Sequence, residues 1–320
     1  MNIIHSLHPP RRIALAILLL FAGRVSGAEL GTYVLGSTGI KGATVPPPGI
    51  YVISLEFAYR ATEFRNESGD RVKEVNGQKF SGKAEALLDI TSLTYISPYK
   101  IFGATYGARI ADTAGVISTD MKIGPFDIDQ KENGNADFYI EPLNLSWHLP
   151  RFDLFVSYGV YAPLGEFRRN DPVSVSDRWS HLFSAGMTAY FDAKKMWALS
   201  ILPRYEIFHG NMHEDFKAGH DALFEWGLSR SLAFLNCDKK TPHTLLDVGL
   251  VGYNSWKITD DRDNGIHDSN RFSVHAAGVE AAVTRPSWHN ARISLRYEKE
   301  FLTHSRPQGQ VGILRWSLKF

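Results

Sequence analysis

The chain closes on Gly312–Phe320, GILRWSLKF, and the rest of the sequence is read from this stretch outward. Leu314, Trp316, Leu318 and Phe320 occupy alternate positions, with Arg315, Ser317 and Lys319 between them. A repeat of two is that of a strand, so one face is apolar and the other charged. Soluble domains commonly end in a polar, frayed tail. Here the apolar face has to be covered by something.

The same alternation recurs upstream. Tyr51, Ile53, Leu55, Phe57 and Tyr59 alternate with Ser54, Glu56 and Arg60; Phe152, Leu154, Val156, Tyr158 and Val160 alternate with Asp153, Ser157 and Gly159; Ile293, Leu295 and Tyr297 alternate with Arg292, Ser294, Arg296 and Glu298. About twelve such segments span 50–320, many as long as the roughly 9–11 residues a membrane-crossing strand needs. Short links, such as Ser97–Lys100, Pro150–Arg151 and Asp192–Lys195, alternate with longer polar ones, of which Thr62–Lys79 and Asp112–Asn135 are the longest. That rhythm predicts an all-β fold, a transmembrane up-and-down antiparallel β-barrel of about twelve strands.

Composition agrees. Aromatic residues make up 12% of the chain, and 27 glycines punctuate it, which suits strands and turns. With 35 Lys and Arg against 34 Asp and Glu, the net charge is +1, so no single-sign field points to nucleic acid as a partner. The one cysteine, Cys237, cannot form an internal disulfide.

At the other end Arg11 and Arg12 precede the apolar run Ile13–Ala22, and small residues follow to Ala28. This is the pattern of a secretory signal peptide over 1–28, cut after Ala28 or Gly27, with an apolar run too short to span a bilayer. Residues 29–49, with Pro46–Pro48 in succession, are stiffened ahead of the first strand and read equally as a periplasmic lead-in or as a plug. The barrel is expected over 50–320.

About twelve long strands enclose more space than one layer of side chains fills, so the polar face is assigned to the lumen and the apolar face to lipid. An arginine turned to lipid near the midplane costs about 2–4 kcal/mol, which fixes the register of each strand. By parity Glu56, Arg60, Arg109, Asp153, Arg204, Glu206, Glu225, Asp247, Arg292, Arg296, Glu298 and Arg315 are the expected lumen-lining, permeation residues. Glu85 and Asp89 fall on the same face by this parity. Tyr51, Trp147, Tyr161, Trp179, Tyr190, Trp197, Trp256 and Trp316 are expected in interfacial girdles.

Three stretches carry a family resemblance: Asp137–Phe167, DFYIEPLNLSWHLPRFDLFVSYGVYAPLGEF; Trp179–Gly210, WSHLFSAGMTAYFDAKKMWALSILPRYEIFHG; and Gly249–Asp261, GLVGYNSWKITDD. They resemble the outer-membrane family labelled for the MetA-pathway of phenol degradation, across about Tyr51 to Phe320. Phe138 stands where that family often has proline, a change at a strand entry. The resemblance implies a cell outer-membrane channel for passive uptake of small molecules, aromatic or hydrophobic ones among them. Phe320 resembles the terminal signal read by the outer-membrane assembly machinery. The implied partners are thus the lipid bilayer, that machinery and a small-molecule solute.

No cofactor, metal or catalytic group is expected. His209 and His213 have a metal-like spacing but lie in a loop with no glutamate between them as HExxH would require. Ser180 and His181 are strand neighbours pointing to opposite faces, and no GxSxG elbow is present. Pro142 and Pro203 interrupt regular strand patterns and mark candidate bulges. The alternative to a channel is a structural or surface-interaction barrel with a closed lumen.

Overall fold

A computed structural model describes residues 32–164, 176–235 and 242–320. The expected signal peptide 1–28 and Cys237 lie outside the described residues. Twelve long strands form a closed antiparallel barrel: β1 Gly49–Phe64, β2 Gln78–Ile101, β3 Ala104–Ile123, β4 Phe138–His148, β5 Phe152–Ala162, β6 Ser180–Tyr190, β7 Trp197–Phe208, β8 Asp221–Leu235, β9 Pro242–Lys257, β10 Ser273–Arg285, β11 Ala291–His304 and β12 Pro307–Lys319. Each pairs with the next in sequence, and β1 also pairs with β12 to close the seam, Tyr51 opposite Lys319 and Phe57 opposite Ile313. Closure leaves no open sheet edge around the wall, which is the condition for strands to cross a bilayer.

The two faces are inverted relative to a water-soluble sheet. On β11, Ile293, Leu295 and Tyr297 are 52%, 65% and 48% exposed, whereas Arg296, Glu298 and Glu300 between them are 5%, 1% and 1% exposed. A slip of one residue would exchange the two sets. The fold is that of a transmembrane barrel, with charge inside and apolar side chains outside.

One end carries tight turns, the other long connections. At the short-turn end Phe102 and Gly103 both adopt positive φ, 51° and 76°, as a tight hairpin between right-twisted strands requires. Asp192 accepts amide hydrogens of Trp197 at 2.7 Å and of Met196 and Lys194 at 3.1 Å, and these bonds hold its carboxyl below the usual carboxylate range. At the long-loop end Phe216–Lys217, Asp261–Asp263 and Ile266–Asp268 form a small three-stranded sheet of their own.

Some sequence expectations change. Asp112–Asn135 is no loop: β3 runs to Ile123, turns at Gly124 and returns as a strand, Phe126–Asn135, paired from Ile123–Phe126 to Ala114–Asn135. Polar residues on both faces look loop-like, but a hairpin with water on both sides needs no apolar face. Tyr51, Tyr161 and Tyr190 are not girdle residues. Tyr51 and Tyr190 are buried, and the Tyr161 ring lies tilted against the buried Tyr139 ring, 4.6 Å between centroids. Their hydroxyl-bearing rings serve the interior, whereas Trp179, Trp197 and Trp316 stay on the outer face. Pro142 sits where β4 changes register against both neighbours, between Ile140 and Leu143 on one side. At Pro203 the register on either side is unbroken, and only the ladder between β6 and β7 lapses, from Ser184 to Met187.

Candidate functional site: the barrel lumen

Residues 32–48 run inside the wall before entering β1, and their contacts climb the lumen rung by rung. Nearest the short-turn end, the Tyr51 hydroxyl donates to the Pro47 carbonyl at 2.7 Å, and Thr44 donates to Asp153 at 3.0 Å. The Ala43 amide reaches Ser200 at 3.1 Å, and Lys41 Nζ reaches Ser231 at 2.6 Å and Asp247 at 3.1 Å. Higher up, the Ile40 amide donates to Glu280 at 3.0 Å and the Thr38 amide to Glu225 at 3.2 Å. Uppermost, the Tyr33 hydroxyl donates to Glu225 at 2.6 Å and its amide to Glu206 at 3.3 Å. The segment has no sheet ladder of its own, so wall carboxylates and hydroxyls satisfy its buried amides.

Glycine makes the close approach feasible at two of these rungs. Gly36 and Gly39 have φ of 81° and 88°, and a Cβ on Gly39 would run into Arg296 and Glu280. A side chain at either site is strained by backbone and neighbour alike.

The wall opposite the segment has two characters. One sector is ionic: Arg204 pairs with Glu225 and lies over the Tyr33 ring at 4.4 Å; Arg296 pairs with Glu280 at 2.8 Å; Arg292 pairs with Asp247 at 2.7 Å; and Arg306 pairs with Glu300 at 3.3 Å. Arg315 donates to the Thr38 carbonyl at 3.1 Å, and Arg109 stands over the Tyr139 ring at 5.1 Å. Asp153 gathers Tyr190 at 2.5 Å, His148 at 3.1 Å and Lys195 at 3.5 Å. The other sector is apolar: Leu55 and Phe57 of β1, Val311 and Ile313 of β12, Tyr253 and Val274 form one cluster, against which Val34 and Leu35 of the segment pack. Each apolar side chain so buried contributes about 1.5–3 kcal/mol.

Of the parity-assigned residues, Asp153, Arg204, Glu206, Glu225, Asp247, Arg292, Arg296, Glu298 and Arg315 lie on the inner face with Arg109. Glu56 and Arg60 do not. They stand opposite Leu314 and Gln310 on β12 and opposite Asp89 and Glu85 on β2, on the outer face. Glu85 and Asp89 are corrected with them. On β1 the apolar set turns inward because its inner neighbours are Val34 and Leu35, not water. Missed in the sequence were Tyr33, Thr38 and Lys41, which bind the wall. Their signal was a glycine-punctuated polar stretch ahead of three prolines, which named no contact.

The outward pair has an energetic consequence. Glu56 and Asp89 are cross-strand partners sharing Ser54 Oγ, at 3.4 and 3.3 Å, at the floor of an outer groove of about 810 Å³ walled by Leu87, Leu295 and Leu314. Like charges directly opposite are destabilising, the more so beside lipid. The double substitution Glu56→Gln with Asp89→Asn should raise the denaturation midpoint of the detergent-folded protein at pH 8 and leave it nearly unchanged at pH 4. An equal shift at both pH values would count against the repulsion.

The Ser–His neighbours diverge as strand geometry requires. Ser180 donates to Glu206 inside at 2.8 Å, while His181 lies on the outer face, 2.8 Å from the Tyr158 hydroxyl and 3.0 Å from His209. His213 bonds Asp177 instead, so the two loop histidines are not brought to a common point.

The sequence matches the family model described as "Putative MetA-pathway of phenol degradation" over residues 68–316, most of the barrel. The chain belongs to this family. Among curated proteins none matches it. Among solved structures, it superposes on the COG4313 outer membrane channel from Pseudomonas putida F1 with a TM-score of 0.71 at 14% identity, covering 88% of this chain and 99% of that one. The β domain of the Bordetella autotransporter BrkA superposes with a TM-score of 0.44 at 9% identity, covering 86% of this chain and 100% of that one. A Pseudomonas aeruginosa FadL homologue gives 0.41 at 10% identity, covering 89% and 96%. The likeness to the Pseudomonas putida channel is one of fold.

Proposed function

We propose that this family member is an outer-membrane channel for the passive entry of small molecules, hydrophobic and aromatic compounds among them, with residues 32–48 acting as a plug. The observation that carries the reading is the lumen itself. Its ionic sector and its apolar sector are both filled by one peptide segment, held through side-chain hydrogen bonds and packing, and not by strand pairing. Such a filler can leave without breaking the wall. A twelve-strand bore, between the filled eight-strand barrel and the open sixteen-strand porin, suits selective passage.

In this reading residues 1–28 are removed on export, the short-turn end faces the periplasm and the long loops face outward. The lumen charges Arg109, Asp153, Arg204, Glu206, Glu225, Asp247, Arg292, Arg296, Glu298 and Arg315 set which solutes pass. Phe320, whose amide bonds the Ile50 carbonyl at 2.8 Å while its ring is exposed, serves as the assembly signal.

The decisive measurement is uptake of phenols, alkanes and sugars by liposomes with and without the purified protein, alongside planar-bilayer current. Phenols and alkanes should enter faster than sugars of similar size. A protein that passes no solute and carries no current, with the plug in place or removed, would instead be a closed structural barrel.

A further inference from the structure

The carboxylates around the upper segment each have a partner, with Glu298 as the exception among the described residues: Glu206 accepts the Ser180 hydroxyl and the Tyr33 amide, and the others pair with arginines. Glu225 has Arg204, Glu280 has Arg296 and Glu300 has Arg306. Glu298, on β11 between Arg296 and Glu300, has none of its own. Among the described residues its one ion-pair contact is Arg296 at 3.9 Å, a guanidinium already committed to Glu280 and to the Gly36 carbonyl. Arg315 lies four positions beyond Val311, the β12 partner of Glu298, about 13 Å along the strand, and is turned to Thr38. The Glu298 side chain is 1% exposed, and neither of its oxygens meets a hydrogen-bond donor among the described residues. An unpaired buried carboxylate is costly in any fold.

What lies against it is the segment. A Cβ on Gly36 would stand 2.6 Å from Glu298 Oε2, and the two residues before Gly36, Val34 and Leu35, cover the apolar sector beside it. The segment thus covers an apolar surface and leaves the adjoining carboxyl group without a donor.

We propose that Glu298 and the apolar sector form a binding site for an organic ammonium ion with an apolar body, and that Val34–Gly36 occupies this site as a tethered stand-in. The proposal rests on the reading of the lumen as a passage and names a solute class for it. An ammonium group would supply charge-assisted donors to both Glu298 oxygens. Its body would take the place of Val34 and Leu35, and the faces of Phe57 and Tyr253 would add attraction for the cation. A neutral solute of the same shape would gain only the apolar contact.

The test uses full-length protein in detergent and equilibrium dialysis of benzylammonium and decylammonium against benzyl alcohol and decanol. Gly36→Val, strained in φ and colliding with Glu298, should free the site. That variant should bind the ammonium ions more tightly than the unmodified protein does, and at least about tenfold more tightly than the alcohols. Adding Glu298→Gln should erase the preference, and Glu298→Asp should keep much of it. Equal binding of ammonium and alcohol by Gly36→Val overturns the proposal without any change at Glu298, and so does a preference that survives Glu298→Gln in a barrel whose gel mobility shows it folded. Bilayer current is read separately. Ammonium binding by a protein that carries no current would remove the channel reading and keep the site; current without the preference would do the reverse.

Discussion

A chain lacking residues 33–44 should carry on the order of tenfold more current per barrel than the full-length protein, because the segment is what separates this bore from an open one. The deletion removes every rung from Tyr33 to Thr44, yet it strands no wall group. Glu206, Glu225, Glu280 and Asp247 lose peptide partners but gain water as the lumen floods, so the cost of an unmade buried bond is avoided. Wall pairing is untouched, since β1 begins at Gly49, beyond the deleted residues. A milder change, Lys41→Ala with Tyr33→Phe, removes the Lys41 ion pair and the Tyr33 hydroxyl bond and should give intermittent opening between the two levels. Unchanged current in the deletion would mean that something other than this segment closes the barrel.

Leu250→Arg should block barrel formation. Leu250 lies midway along β9 on the outer face, opposite Leu228 and Val279, and is 52% exposed there. A guanidinium at this height costs about 2–4 kcal/mol on a lipid face, a large part of a marginal stability of roughly 5–15 kcal/mol. Heat-modifiable gel mobility should show mostly unfolded chain, and any folded fraction should unfold at lower urea. Leu302→Arg is the control. Leu302, likewise exposed, sits near the long-loop end of β11, where the same charge costs about 0–1 kcal/mol. Equal behaviour of the two variants would argue that the outer face around Leu250 does not meet hydrocarbon.

The wall was largely legible because alternation is a local property. Ile293 to Glu300 and Leu314 to Lys319 announce both their strands and their register, since one arrangement alone keeps Arg296 and Arg315 off lipid. What alternation lacks is a sign. On β1 the same period two gave Leu55 and Phe57 to lipid and Glu56 to the lumen, whereas the contact with Val34 and Leu35 reverses both. That contact joins the strand to a segment outside every sheet ladder, so no periodicity encodes it. Tyr51 and Tyr190 misled for a related reason: a tyrosine near a strand end looks the same whether its hydroxyl meets headgroups or Pro47 and Asp153. The Phe126–Asn135 return strand was hidden by its polarity, which in water is no obstacle to pairing.

The segment joins the wall just before the seam, at Pro46–Pro48, and makes no ladder with β1 or β12. Mechanically the molecule is therefore two bodies in series. A pull on the chain at Pro46–Pro48, from the short-turn end, would load single side-chain bonds one after another, peeling Thr44, Lys41, Thr38 and Tyr33 in turn. The wall would carry the same tension through many backbone hydrogen bonds strained together. Extraction is then a low-force event of about 6 nm of chain that ends with an intact cylinder, so a partner at the short-turn end able to grip a short peptide could unstop the barrel without unfolding it.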